Sequence, residues 1–287
     1  MSDFPDMSGA FEIEAAAKTN LWLRVVGKRE DGFHEIETRM VTLTLADRLK
    51  FKWREDDQVV LRCSDESLPT GEENLVVKAV RALAGKVGKT LAVSIDLQKQ
   101  IPSGAGLGGG SSDAAAVLRA LNEMGSLQLS EEELAGVGAM IGSDVPFFVY
   151  NRPCDCGGRG EIVTPVEEPV PSLSLFLIKP AFEIAAAWAY QHWAKSGEYE
   201  DFHYASQAMA WGEMGNDLER PVFEKFPVLG EMKSWLSSRP GVSGALLSGS
   251  GSTMLAVLEE GTDGKALEDL ALERYGRNCW TNLCRTM

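Results

Sequence analysis

Residues 101–122 read IPSGAGLGGGSSDAAAVLRALN, and the use made of these glycines decides the fold. Glycine loses more backbone freedom on folding than any other residue, so crowding Gly104, Gly106, Gly108, Gly109 and Gly110 into one loop needs a purpose. A P-loop would close on Gly-Lys-Ser/Thr, but Ser111 follows Gly110 directly. Gly104, Gly106 and Gly109 fit the spacing of a dinucleotide fingerprint, yet KQIPS separates the preceding strand from the first glycine, where that fold turns almost at once. A third reading fits better: backbone N–H groups wrap an anion resting on the N-terminus of the next helix, whose dipole supplies positive potential without a lysine. The bland alternative is a flexible packing loop. Ser111, Ser112 and Asp113 are good helix starters, and Val117, Leu118 and Leu121 form the stripe that the helix buries.

Working outward, TLAVSIDLQKQ (90–100) reads as a strand, and ENLVVKAVRALAGKVG (73–88) spaces its apolar residues as a helix and stops at glycine. Upstream, FEIEAAA (11–17) and NLWLRVVG (20–27) form an apolar stretch interrupted by Lys18-Thr19, followed by a turn at KREDGFHE. RMVTLTLADRLKFKW (39–53) and DQVVLRC (57–63) read as further strands. Downstream, SEEELAGVGAMIG (130–142) is a helix with a capping-box pattern at Ser130 and Glu133. EEPVPSL (167–173), with two prolines, is the best candidate boundary, dividing the chain into residues 10–167 and 168–287. Beyond it come a strand at 173–178, helices around Trp188 and 231–236, the strand SGALLSG, a second glycine loop, the strand TMLAVL, a helix and a last strand near NCWTNLC. Strands and helices mix without βα alternation or repeats, so the class is α+β.

The 287 residues exceed one typical core, and 44% hydrophobic with 24% charged residues is the balance of a globular protein. No apolar run is long enough to span a bilayer, and the start MSDFPDMSGAFEIEAAAK lacks a signal-peptide pattern, so a cytoplasmic address is expected. Five scattered cysteines argue against a disulfide framework, and Cys154-Asp155-Cys156 has the wrong spacing for a zinc knuckle. A net charge of −14 disfavours nucleic acid and anionic membrane as partners. A small anionic ligand remains possible if the site supplies its own positive potential. Asp144, in IGSDVPFF, sits between a helix end and an apolar stretch, where burial would make a lone carboxylate costly. It reads either as a helix cap or as a base. Lys18 among alanines reads either as a snorkelling surface residue or as its partner.

Residues 101–122 resemble the phosphate loop of the GHMP kinases (galactokinase, homoserine kinase, mevalonate kinase and relatives). AAAKTNLWLRVVGKREDGFHEIETRM (15–40), GSDVPFFV (142–149), GGRGEIVTPV (157–166) and GALLSGSGSTMLAVL (244–258) are similar to further motifs of the family, in the right order. The loop is extended to Gly-Leu-Gly-Gly-Gly before the serines, which leaves the serine roles open. The resemblance implies two domains, a ribosomal-protein-S5-domain-2-like N-terminal unit and a ferredoxin-like C-terminal unit, with the site between them. It implies an ATP- and Mg²⁺-dependent kinase acting on a small cytidyl diphosphate alcohol of isoprenoid precursor synthesis, as monomer or homodimer. Other members act on homoserine, mevalonate or sugars. Retention of Lys18 and Asp144 argues against an inactive ATP-binding sensor.

Residue by residue, the resemblance gives Asp144 as base and Lys18 as its cationic partner, which brings the missing cation from the N-terminal strand. ATP would lie along Pro102, Gly104, Gly106, Leu107, Gly108, Gly109, Gly110, Ser111 and Ser112, with Asn74 and Leu75 at the adenine. Phe33, where the family often has tyrosine, and Tyr190 would sandwich a cytosine. His34 would bond the edge of that base, Asn20 the substrate, and Gly249 and Ser250 would line the site near its phosphates. The Mg²⁺ ligands stay unassigned, and His192 and His203 receive no role.

Overall fold

The computed structural model describes residues 11–198, 200 and 202–287; residue 10, the expected start of the first unit, lies outside them. Strand β1 (Phe11–Lys28) pairs antiparallel with β2 (His34–Trp53), from Phe11↔Phe51 to Lys28↔His34. The two pieces expected on either side of Lys18 are thus one strand. Residues 15–21 are buried without alternation, so the strand is covered on both faces there. Its register with β2 shifts between Ala16 and Lys18 and again between Asn20 and Trp22, and each irregularity re-aims the side chains between them.

The strand β3 (Val59–Cys63) precedes α1 (Leu75–Val87), which is capped by Asn74, whose side chain accepts from the Val76 N–H, and which ends on left-handed Gly88. Then come β4 (Val93–Gln98), α2 (Gly109–Met124), α3 (Glu131–Ala139) with the expected Ser130/Glu133 capping box, and α4 (Val145–Tyr150). A short hairpin, β5 (Cys154–Gly157) and β6 (Ile162–Pro165), pairs through β5 to β2. After β7 (Ser174–Lys179) and α5 (Ala186–Trp193), a second hairpin of β8 (Gln207–Met209) and β9 (Gly212–Asn216) returns to the first sheet. There β9 runs parallel to β1 at Trp22↔Gly215. Helices α6 (Glu219–Lys225) and α7 (Pro227–Ser237), strands β10 (Val242–Leu247) and β11 (Met254–Leu258), helix α8 (Gly264–Tyr275) and β12 (Trp280–Arg285) complete the order.

The first sheet has eight strands, ordered β3-β4-β2-β1-β9-β8 with β5 and β6 beside that path, and the second has four, ordered β10-β11-β7-β12. Helices α1 and α2 bury Val80, Leu83, Val117 and Leu121 against the first sheet. A separate cluster joins the two sheets: Ala17, Leu21 and Val41 pack with Leu175, Leu177, Leu246 and Leu255. Each buried leucine or valine of this cluster contributes about 1.5–3 kcal/mol, which fixes the two sheets against each other and shapes the space between their loops.

The glycine loop departs from expectation at its helix. Ser111, Ser112 and Asp113 do not start α2; the helix begins at Gly109, and left-handed Gly108 (φ 73°) holds the cap position without a side-chain bond. Two of these three residues have other partners. Ser112 Oγ donates to the Ala16 carbonyl at 2.6 Å, and Asp113 accepts from Lys99 Nζ at 2.8 Å.

Candidate active site

Lys18 and Asn20 lie two apart on β1 and face one space, because strand side chains repeat every second residue. Lys18 Nζ donates to Asn20 Oδ1 at 2.8 Å, Asn20 Nδ2 donates to Thr38 Oγ1 at 2.7 Å, and Thr38 Oγ1 donates to the Trp22 carbonyl at 2.6 Å. This chain fixes the ammonium. Its nearest carboxylate is Asp144, whose Oδ2 lies 3.8 Å from Lys18 Nζ. Asp144 occupies the cap position of α4 yet makes no capping bond, so its carboxylate is free for other work. Its side chain is 34% exposed, so the burial expected from the sequence does not hold; the carboxylate opens onto the cleft.

The two glycine loops pack backbone to backbone. A Cβ on Gly106 (φ 77°) would run into the Ser248 carbonyl, and one on Gly249 (φ 55°) would come within 3.0 Å of the Gly106 carbonyl. Ser248 Oγ donates to that carbonyl at 3.2 Å, and the Lys18 N–H donates to the Leu107 carbonyl at 2.9 Å. Gly108 is closed from the other side: a Cβ there would sit 2.7 Å from Phe148 and 3.1 Å from Lys18 Cγ. No side chain caps α2 and no acid stands in its first turn, so its leading N–H groups and dipole suit an anion.

Loop, ion pair and β1 share one cavity of about 1240 Å³. It takes in Lys18, Asn20, Asp144, Pro102, Gly104, Gly106, Gly108, Gly109, Gly110, Ser111, Asn74, Leu75, Phe33, His34, Tyr190, Gly249 and Ser250. Leu107 and Ser112 fall outside its lining: Leu107 is buried in the core between the sheets, and Ser112 is turned onto Ala16. At one end His34 stacks on Tyr190, centroids 5.8 Å apart and planes at 27°. Burial, and then the Lys28 charge, hold His34 below its ordinary pKa, so at neutral pH the ring is uncharged and offers one donor and one acceptor. Burial also pushes the Tyr190 phenol up. Phe33 is 49% exposed, with the Arg159 guanidinium 4.8 Å from its ring centroid.

Four groups escaped the sequence reading. Arg159 lines the cavity from within a quoted motif, and its place in GGRGEIVTPV was its available signal. Glu183 lies against Gly104, where a Cβ would come within 2.6 Å of its carboxyl carbon. Asn216 donates to the Leu247 and Gly249 carbonyls at 2.8 and 2.7 Å, holding the second glycine loop. Lys99 Nζ lies under Gly109, in ion pairs with Asp113 and Asp47. None of these last three carries a local sequence signal, because each partner is distant in the chain.

Comparison with known proteins gives the family. Family models described as GHMP kinases N terminal domain and GHMP kinases C terminal match residues 74–152 and 197–276. The 4-diphosphocytidyl-2-C-methyl-D-erythritol kinase of Thermodesulfovibrio yellowstonii is 40% identical over 288 residues, 96% of this chain and 97% of its own. That of Syntrophotalea carbinolica is 37% identical over 266 residues, 91% and 94% of the two chains. The chain belongs to the GHMP kinases. A crystal structure of 4-(cytidine 5'-diphospho)-2C-methyl-D-erythritol kinase superposes with a TM-score of 0.77 at 33% identity, covering 96% of this chain and 99% of that one. The two-domain GHMP kinase fold with mixed α and β content, expected from the sequence, is the one found. Among the described residues of this GHMP kinase, no helix is long and apolar enough to cross a membrane.

Proposed function

We propose that this GHMP kinase transfers the γ-phosphate of ATP to the 2-hydroxyl of 4-diphosphocytidyl-2-C-methyl-D-erythritol, a step of non-mevalonate isoprenoid precursor synthesis, in the cytoplasm. The observation that carries the proposal is one cavity holding an uncapped helix start on a glycine cradle, the Lys18–Asp144 pair and an aromatic end around His34. The cavity lies between units we take as residues 10–167 and 168–287.

In this reading the triphosphate follows the loop from Pro102 to Ser111, with the adenine toward Asn74 and Leu75. The substrate hydroxyl faces Asp144. As its oxygen attacks the γ-phosphorus, the O–H proton passes to the Asp144 carboxylate and the bond to the ADP oxygen breaks. Lys18, fixed by Asn20, keeps positive charge beside the transferring group, where the transition state gathers negative charge. Phe33 and Tyr190 would flank the cytosine, neutral His34 would meet its polar edge, and Arg159, over Phe33 in the cavity lining, would offer the diphosphate a cation. Gly249 and Ser250 offer backbone near the same phosphates.

Among the described residues, no group of three or more acidic, cysteine or histidine side chains could hold a metal alone. Magnesium seldom needs one, since it keeps several waters and takes one or two carboxylates besides phosphate oxygens. With Asp144 assigned as base, the cavity lining offers that demand the Glu183 carboxylate. A Mg²⁺ held by it and by phosphate oxygens would neutralise charge on the triphosphate. A coupled ADP-release assay tests the whole proposal. Turnover with the cytidyl alcohol and none with mevalonate or homoserine is expected; turnover with either of the others alone would overturn the substrate assignment.

A further inference from the structure

Glycines at positive φ give residues 104–110 a wide choice of backbone conformations. Something outside the loop must therefore hold it in the one shape that converges its N–H groups. Its middle is held by the Lys18 and Ser248 bonds described above. Its two ends lead to Asp47.

Asp47 is fully buried in β2, opposite Ala15, and lies outside the cavity lining. A carboxylate taken out of water needs its oxygens satisfied, and here they are satisfied by Lys99, Gln100 and Ile101, the residues that lead into the glycine loop. Asp47 Oδ1 accepts from the N–H groups of Gln100 at 2.5 Å and Ile101 at 2.9 Å, the residues that lead into the loop. Asp47 Oδ2 accepts from Lys99 Nζ, and the same ammonium donates at 2.8 Å to Asp113 Oδ2 on α2, beyond the loop. Lys99 is charged in this setting, because both carboxylates raise its pKa against the effect of burial. Asp113 Oδ1 is buried without a partner, so the tether to the helix hangs on the Lys99 contact. One aspartate on a neighbouring strand thus ties the strand before the loop to the helix after it.

We propose that Asp47 is a positioning residue for phosphoryl transfer: by anchoring the entry to the glycine loop and holding Lys99, which reaches the helix after it, it sets the convergence of the loop's N–H groups on the triphosphate. The proposal rests on the ATP reading of that loop. Asp47→Asn keeps size and one acceptor but removes the charge that holds Lys99. The tests are calorimetry with AMP-PNP and with CDP on wild type and variant, together with the KM values for ATP and the cytidyl alcohol. AMP-PNP affinity is expected to fall about 10-fold or more, in line with loss of a charge-assisted contact, with KM for ATP rising in parallel. CDP affinity and the KM of the alcohol should stay within about 2-fold. A merely structural aspartate would lower the melting temperature and the active fraction while leaving both affinities of the folded protein alone, and that result overturns the proposal. Equal loss of both ligands overturns it too. Should Asp47→Asn yield no folded protein, Asp113→Ala removes the acceptor for Lys99 at the helix and leaves the Gln100 and Ile101 bonds. Unchanged AMP-PNP affinity in that variant would be equally fatal. Failure of the wild type to bind AMP-PNP at all would remove the ATP reading and the proposal together, whereas normal wild-type binding with an indifferent variant removes the anchor alone.

Discussion

Asparagine at position 144 would keep the shape of the side chain but could neither take the hydroxyl proton nor balance Lys18. Asp144→Asn should therefore lower kcat by at least about 10²-fold, the lower range for an acid–base group, with ATP affinity nearly unchanged. Single-turnover rates decide it, and a variant retaining more than half of wild-type chemistry would remove Asp144 from the role. His34 makes a second expectation. Its folded pKa lies below the ordinary 6.5, so the neutral ring that would meet the cytosine persists as pH falls through that value. CDP affinity should be flat from pH 8 to about 6.5 and weaken only below. Over the same acid window the unfolded chain takes up a proton that the folded ring resists, so more protons bind the unfolded state and stability falls with decreasing pH. A CDP affinity that already changes between pH 7.5 and 6.5, or a His34→Gln variant with the same acid sensitivity, would contradict this. At this scale the sequence was most telling where chemistry is improbable in its surroundings, as with a lysine among alanines. It was silent on Glu183 and Asp47, whose meaning comes from partners far along the chain.

The glycines of the helices and of the loop should answer substitution in opposite ways. Gly85 in α1 and Gly136 in α3 are exposed, and a Cβ at either meets nothing within 4 Å. Alanine at each should stabilise the fold by about 0.5–1 kcal/mol without touching turnover. At Gly108, with φ 73°, alanine would be strained and would press on Phe148 and Lys18. Gly108→Ala should lose both ATP affinity and kcat, the latter because the Lys18 stem must move. Denaturation curves and kinetics on the three variants check the contrast, and a Gly108→Ala enzyme with native kinetics would mean that the loop does not cradle phosphate. Strong periodicity or an obvious cap made α1, α3 and most strands legible. The start of α2 was misplaced because side-chain capping preference points to the serines, whereas here the cap position is bare glycine. The hairpin of β8 and β9 was missed because three- and five-residue strands containing Gly212 and Gly215 carry no usable alternation.

Across the whole molecule the net charge is −14, and the cavity lining itself carries Asp31, Glu73, Asp113, Asp144 and Glu183 against Lys18, Lys99 and Arg159. An anionic nucleotide therefore approaches a repelling surface before it meets the helix start. Adding salt screens that repulsion over about 10 Å at 0.1 M. The association rate of a fluorescent ATP analogue, followed by stopped flow, should thus rise by a small factor between low and moderate KCl. A steep fall would imply a basic approach path instead. The α+β class was readable from composition and element order. The parallel return of β9 to β1 was not, since pairing between distant segments leaves no mark in either one. That long-range assembly bears on how the protein is made. Thr19 and Ser248, whose hydroxyl oxygens lie 3.1 Å apart beside Lys18, are separated by 229 positions. At about 5–20 residues per second on the ribosome, Lys18 waits roughly 11–46 s before the second glycine loop is even synthesised. A growing chain thus carries Lys18, the first loop and Asp144 before the segment that completes their shared cavity exists, and on the proposed reading it could not spend ATP until translation is nearly over.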